Sequence, residues 1–196
     1  SRIYVQRGLY SKFLERFVFE TKKLKVGDPS KDETFVGPLV SKQHFEKVQS
    51  FIALARAEGA RFEAGDEKLE LSSEFKSGYF MRPTILTGVK ESSRLQQEEI
   101  FGPVVTVTPF DSEDDVLAWA NGTSYGLSAT VWTQNLKRAH AFSEKLEAGT
   151  VWVNTWMKRD LRAPFGGVKA SGLGREGQHG SLEFFTEAKT ICVRHS

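Results

Sequence analysis

Strand-like and helix-like patterns alternate along nearly the whole of this chain, and that alternation leaves few folds open to it. "RIYVQ" (residues 2–6) reads as a strand, and "SKFLERFVFETKKLKVG" reads as a helix with Ser11 as N-cap. Phe13, Leu14, Phe17, Val18 and Leu24 fall on one stripe of that helix. A second helix starts at Ser41 and carries Phe45, Val48, Ile52 and Ala55 at helical spacing. "EGARFEAGDEKLELSSEFKSG" is a loop with a short strand, while "YFMRPTILTGV" and "PVVTVTPF" are strands. "SEDDVLAWAN" is a helix capped by Ser112, its acidic first turn matched to the positive end of the dipole. "LSATVWT" returns as a strand, "LKRAHAFSEKLEAG" as a helix ending at Gly149, and "TVWVNTW" as a strand. This order predicts an α/β fold, a mostly parallel sheet flanked by helices. After Trp156 glycines and turn residues dominate, until "SLEFFTEAKTICVRH" supplies a short helix and a C-terminal tail strand.

Size and charge narrow the function classes. At 196 residues the chain fits one domain, or one domain with a tail. Lys and Arg number 27 against 25 Asp and Glu, a net charge of +2, and no basic block stands out. That gives no electrostatic support to a nucleic-acid or membrane-surface partner. No apolar run approaches the roughly 20 residues that span a bilayer, and the opening residues do not read as a signal peptide. The single cysteine, Cys192, excludes an internal disulfide and a multi-cysteine zinc site. A cytoplasmic location is the expectation.

Several familiar spellings do not survive inspection. "GLGREG" (residues 172–177) matches the glycine pattern of a dinucleotide-binding loop. Such a loop needs a buried strand before it, and a second strand about 20 residues later with an acid for the ribose. Here "FGGVKAS" is too polar and glycine-broken, and the chain offers no such acid, so a tight surface turn is expected. "GTSYG" (residues 122–126) spells a nucleophile elbow, but the order is helix, turn, strand rather than strand, turn, helix. Cys192 and His195 stand at an odd offset, which on a strand places them on opposite faces, and Cys192 reads as a small apolar filler. His44, His140 and His179 show no metal-ligand spacing, so neither a metal site nor a histidine-based site is expected.

Two stretches resist explanation by packing alone. "QQEEIFGPVV" sets Glu98 and Glu99 directly before an apolar aromatic turn; either could cap a helix or pair with a neighbour. "WVNTWMKRDLRAPFGG" leads from a strand's end into a loop with Arg159, Arg162 and Phe165. The carboxyl ends of strands are where ligands bind in α/β sheets, and arginine offers a planar fork for carboxylate or phosphate. Taken one at a time, each arginine is better explained by a surface ion pair, for instance with Asp160.

Read together and in order, "SRIYVQ", "GPLVSKQHFEKV", "GYFMRPTIL", "EEIFGPVV", "NGTSYGLSATVWT", "AGTVWVNTW", "PFGGVKASGLGRE" and "FFTEAKTICV" resemble the aldehyde dehydrogenase superfamily. The resemblance covers essentially the whole chain. It implies that residues 1–170 form part of the catalytic domain, and that residues 171–196 form a return segment with an oligomerisation strand. Members oxidise an aldehyde by thiolate attack, hydride transfer to NAD(P)+ and thioester hydrolysis. By the resemblance, Glu99 holds the hydroxyls of the nicotinamide ribose, Phe101 packs beside the nicotinamide, and Lys47 touches the cofactor's outer edge. Phe165 forms part of the aromatic wall of the aldehyde tunnel.

"WVNTWMKRDLRAPFGG" resembles more narrowly the muconic semialdehyde dehydrogenase branch of aromatic-ring degradation, whose substrates carry a carboxylate remote from the aldehyde. Arg159, six residues before Phe165, is the expected clamp for it, with Arg162 as the second candidate. The family's nucleophilic cysteine, oxyanion-binding asparagine, general base and phosphate-binding loop correspond to segments upstream of Ser1. No catalytic residue is therefore assigned within the chain, NAD (or NADP) is expected to bind mainly to the missing upstream domain, and the isolated chain is expected to be inactive. The resemblance further implies a homo-oligomer, dimer or tetramer. A non-catalytic assembly or scaffold module that keeps the same fold is the alternative.

Overall fold

The computed structural model describes residues 1–195. The chain divides into two compact units, Ser1–Val116 and Leu117–Ser196. In the first, β1 (Arg2–Gln6), β2 (Arg61–Ala64), β3 (Thr84–Thr87) and β4 (Val104–Phe110) form one sheet in the order β1-β4-β3-β2. The β1–β4 and β3–β4 pairs are parallel and β2 is an antiparallel edge. The helices α1 (Arg7–Lys22), α2 (Lys42–Ala57) and α3 (Arg94–Gln97) complete this unit, and α4 (Glu113–Asn121) spans the boundary.

Strand alternation sorts the core into two halves. On β3, Ile85 packs with Val5, Ala64 and Val107, against which Tyr10, Leu14, Phe17 and Val18 of α1 are laid. Its neighbour Leu86 points the other way and joins Val104, Leu95, Ile100 and the α2 stripe Val48, Phe51, Ile52 and Ala55. All four β3 residues are consequently buried. Each fully buried aliphatic side chain, such as Val48 or Leu86, contributes roughly 1.5–3 kcal/mol.

Helix α1 begins four residues before the expected cap: its N-cap is Gln6, and Ser11 lies within the helix. Burial of Tyr10 on the sheet draws the first turn into the helix, which forms without a side-chain cap. The Ser41 cap of α2 is as read, its hydroxyl accepting from the His44 amide at 3.2 Å. Ser112 likewise accepts from the Asp115 amide at 3.3 Å.

In the second unit, β6 (Ser128–Val131), α5 (Leu136–Lys145) and β7 (Thr150–Val153) form a parallel β-α-β unit. A short antiparallel pair joins β5 (Tyr125–Gly126) to β8 (Val168–Lys169), and α6 (Gln178–Phe185) follows. Helix α5 stops at Lys145 rather than at Gly149, because residues 146–149 turn to bond the Gly149 amide to the Gly126 carbonyl at 3.0 Å. Residues 187–195 form no ladder within the chain. The tail strand read from the sequence is therefore not formed among the described residues. Cys192 is exposed on this segment, not an apolar filler, since nothing is packed over it. Among the described residues no helix is long and apolar enough to cross a membrane.

Candidate functional site

The two carboxylates of "EEIFGP" are separated by their surroundings. Helix α3 is capped by Ser93, whose hydroxyl accepts from the Leu95 amide at 3.1 Å. Arg94 grips Glu98 in a two-pronged pair at 2.5 and 3.0 Å. The guanidinium holds the Glu98 carboxyl below the usual range, and the pair sits on an exposed surface. The Glu99 carboxylate has no hydrogen bond or ion pair to a side chain among the described residues and is exposed.

Beyond Glu99 the backbone turns sharply. Ile100 is buried in the core, while Phe101 takes a left-handed φ of 57° and is 72% exposed. That conformation costs a residue with a side chain on the order of 1 kcal/mol, so neighbours must hold it. Helix α2 does so. Nε2 of His44 lies 2.6 Å from the Phe101 carbonyl oxygen, which can only accept, so that nitrogen carries the proton. The His44 ring also meets the Phe101 ring edge to face, with centroids 5.9 Å apart. One position on, a Cβ at Gly102 would lie 2.7 Å from a Val48 methyl, so the turn can close on α2 only with glycine there. Lys47 donates its ammonium to the main-chain oxygen of Glu99 at 2.9 Å.

Glu99, Phe101 and Lys47 are therefore brought together by one helix against one turn. His44 joins this group as well, in a positioning role that metal-ligand or catalytic-base spacing does not reveal. Its spacing of three residues from Lys47 places both on one helix face, which is the signal that could have found it.

In the second unit, β7 ends in a loop with left-handed φ at Asn154 (53°) and Met157 (55°). The Asn154 amide extends the β6–β7 pairing past its last ladder position, accepting from the Thr133 amide and donating to the Thr133 carbonyl, both at 2.8 Å. Trp152 anchors the loop by donating to the Lys158 carbonyl at 2.9 Å. Arg159 then lies over the ring of Phe165, 4.0 Å from its centroid. Phe165 is fixed by exchanging backbone bonds with Glu176 at 2.8 and 2.7 Å. A Cβ at Gly149 would lie 1.7 Å from the Gly166 oxygen, so the paired glycines press directly on the approach to β7. Arg162 is engaged by Asp160 at 2.9 and 2.6 Å, which holds that carboxyl below its usual range. Arg159, Leu161, Glu176, Ser181 and Phe185 line an open groove of about 390 Å³.

"GLGREG" follows a two-residue antiparallel strand and forms the turn that returns to Phe165, with Gly174 and Gly177 at positive φ. It lacks the parallel strand that a pyrophosphate loop requires. Ser124 lies in the turn after α4, its carbonyl accepting from the Ala170 amide at 2.9 Å.

The aldehyde dehydrogenase family profile matches residues 1–191. The chain is 53% identical over 197 residues to 2-aminomuconic semialdehyde dehydrogenase of Danio rerio, covering 100% of this chain and 40% of the relative. It is 46% identical over 193 residues to 2-hydroxymuconic semialdehyde dehydrogenase of Pseudomonas sp. (strain CF600), covering 98% of this chain and 40% of the relative. Among solved structures, an NAD+ complex of aldehyde dehydrogenase from Bacillus cereus matches with a TM-score of 0.89 at 43% identity, over 100% of this chain and 39% of that one. The chain thus spans about two fifths of the length of the curated relatives it matches.

Proposed function

The chain belongs to the aldehyde dehydrogenase family, and on that premise we propose that it supplies cofactor and substrate contacts to an NAD(P)+-dependent enzyme. The reaction is oxidation of a carboxylate-bearing semialdehyde to the acid. The observation that carries the substrate class is the seating of Arg159 on Phe165 at 4.0 Å. Stacking on the ring fixes the guanidinium plane while its edge N–H groups stay available to an anion. Arg162, its fork filled by Asp160, is the weaker candidate. The names of the relatives, 2-aminomuconic and 2-hydroxymuconic semialdehyde dehydrogenases, agree with a substrate of this kind.

The residues of the first unit suit a nicotinamide ribose. Glu99 offers an exposed carboxylate without a side-chain partner among the described residues, and a carboxylate accepts two hydroxyl donors at once. Phe101 presents an exposed ring beside it, held in place from α2. Lys47, already bonded to the Glu99 backbone, stiffens the same turn and carries the cation assigned to the cofactor's edge. When bound, NAD(P)+ takes up the hydride that leaves the aldehyde carbon. The part of this chain is to hold both reactants still, so that the transfer proceeds as an oriented, unimolecular step.

Cys192 lies exposed on the terminal segment and has no part in this reading. The thiolate, the general base and the nucleotide-binding fold are assigned to the remainder of the enzyme, with residues 1–170 as part of its catalytic domain. Residues 171–196 are assigned to its return segment and to contacts within a homo-oligomer. The test is NADH formation by the full-length protein with muconic-type semialdehydes and with neutral aldehydes of similar length. A preference of at least about tenfold in kcat/KM for the carboxylate-bearing compounds is expected. No oxidation of either class would favour the assembly-module alternative.

A further inference from the structure

On the face of the first sheet turned away from α1, the apolar packing of Leu86 and Val104 under α2 gives way to polar residues on β1 and the later part of β4. Arg2 and Tyr4 on β1 pair in register with Thr106 and Thr108 on β4, and alternate residues share a face. Onto this face is turned Gln96 of α3, only 3% exposed. Its Nε2 donates to Thr108 Oγ1 at 3.1 Å and to Glu91 Oε1 at 3.2 Å, and its Oε1 accepts from Thr106 Oγ1 at 2.7 Å. Glu91 in turn accepts from the Tyr4 hydroxyl at 2.8 Å, and the Tyr4 oxygen accepts from Arg2 at 2.9 Å. The main-chain oxygen of Glu91 accepts from the Gln97 side chain at 2.8 Å. Glu91, half-buried, is thereby tied once to β1 and twice to α3, and Gln96 carries the tie on to β4.

Helix α3 needs such ties. At four residues it is a single turn, too short to persist by its own hydrogen bonds. Its last residue is followed directly by Glu98, Glu99 and Phe101. Leu95 packs in the core below it, but apolar contact is non-directional and tolerates rotation and sliding. Hydrogen bonds to four separate groups do not.

We propose that Glu91 is a positioning residue. By fixing α3 on the sheet through the bonds of its carboxylate to Tyr4 and Gln96, it sets where the Glu99 carboxylate and the Phe101 ring stand. The functional part of the inference rests on the cofactor reading of Glu99 and Phe101.

The test uses the full-length protein and four variants: Glu91→Ala, Glu91→Gln, Gln96→Leu and Glu99→Ala. The readouts are the dissociation constant for NAD+, the KM for the aldehyde, and hydrogen exchange at the Gln97 and Glu98 amides. Glu91→Ala is expected to weaken NAD+ binding about tenfold, to leave the aldehyde KM unchanged, and to speed exchange at residues 97 and 98. Glu91→Gln keeps an acceptor for Tyr4 and is expected to recover most of the affinity. If Glu99→Ala weakens NAD+ while Glu91→Ala does not, the inference is overturned. If Glu99→Ala also leaves NAD+ affinity unchanged, the cofactor reading falls and the exchange rates decide: faster exchange in Glu91→Ala keeps Glu91 as the positioner of the turn, and an unchanged rate removes it. Should Glu91→Ala not fold, Gln96→Leu breaks the Glu91–Gln96 bond, together with the Thr106 and Thr108 bonds, while keeping a buried side chain. Unchanged affinity in that variant overturns the inference.

Discussion

His44 on α2 donates to the backbone oxygen of Phe101 at 2.6 Å and meets its ring edge to face. The one exposed aromatic of the "EEIFGP" turn is thus held from behind by a helix more than fifty positions earlier in the chain. His44→Ala should release the left-handed Phe101 and cost about 1 kcal/mol of stability, the worth of one hydrogen bond. Urea unfolding reads the loss, and NAD+ titration should show weakened binding in the same variant. A variant as stable as the parent, with unaltered cofactor affinity, would show that the contact does not hold the turn.

Gly102 and Val48 offer a steric test of the same turn. The added methyl of Gly102→Ala would lie 2.7 Å from a Val48 methyl that is fully buried. Overpacking of this kind costs about 1–3 kcal/mol. Gly102→Ala combined with Val48→Ala should lose less than the sum of the two single changes, because the second removes the clash created by the first. Strict additivity in denaturant melts would contradict the packing described.

For the substrate side, Arg159→Ala in the full-length protein should raise KM for carboxylate-bearing semialdehydes by about ten- to a hundredfold, the worth of a charge-assisted pair. Neutral aldehydes should change little. Arg159→Lys keeps the charge but loses the planar guanidinium fork over Phe165, and should recover only part of the loss. Equal losses for charged and neutral substrates would remove the clamp.

Glu91 gives the fold a pH dependence of definite sign. Burial pushes its carboxyl above the usual range, outweighing the Tyr4 hydrogen bond and nearby Arg2. The folded protein therefore holds this proton more tightly than the unfolded chain does. The stability this contributes is fully present below the unfolded value of about 4.3 and is lost as pH rises through the higher folded value. Parent minus Glu91→Gln stability should accordingly fall as pH rises from the unfolded value through the higher folded one. Glu98, Asp111 and Asp160 are shifted the opposite way by their arginine partners, but both proteins share them and their effect cancels in the difference. Urea midpoints at several pH values provide the measurement; a difference that grows with pH would reverse the assignment.

Much of the architecture was legible because it is written in local periodicity. The α2 stripe of Val48, Ile52 and Ala55, and the parallel strands around Val104 and Ile85, follow from side-chain spacing alone. The start of α1 was not, because the burial of Tyr10 depends on β4, about a hundred positions away, and overrides the local preference for a serine cap. Sorting Glu98 from Glu99 also required three dimensions. The two are chemically identical in the sequence, and only the helical turn of α3 brings Arg94 onto the first and leaves the second open.

The sequence by itself determined most of the elements, their order and the family, since hydrophobic spacing and ordered motifs survive without knowledge of contacts. Tertiary structure alone decided which charged groups are occupied and which stay open: Arg162 on Asp160 but Arg159 on a ring, Lys47 on a backbone oxygen, Gln96 buried among threonines. The physical reason is distance. A charge or amide acts on what lies within a few ångströms, and the partners that come so close are chosen by the fold rather than by neighbours in the chain.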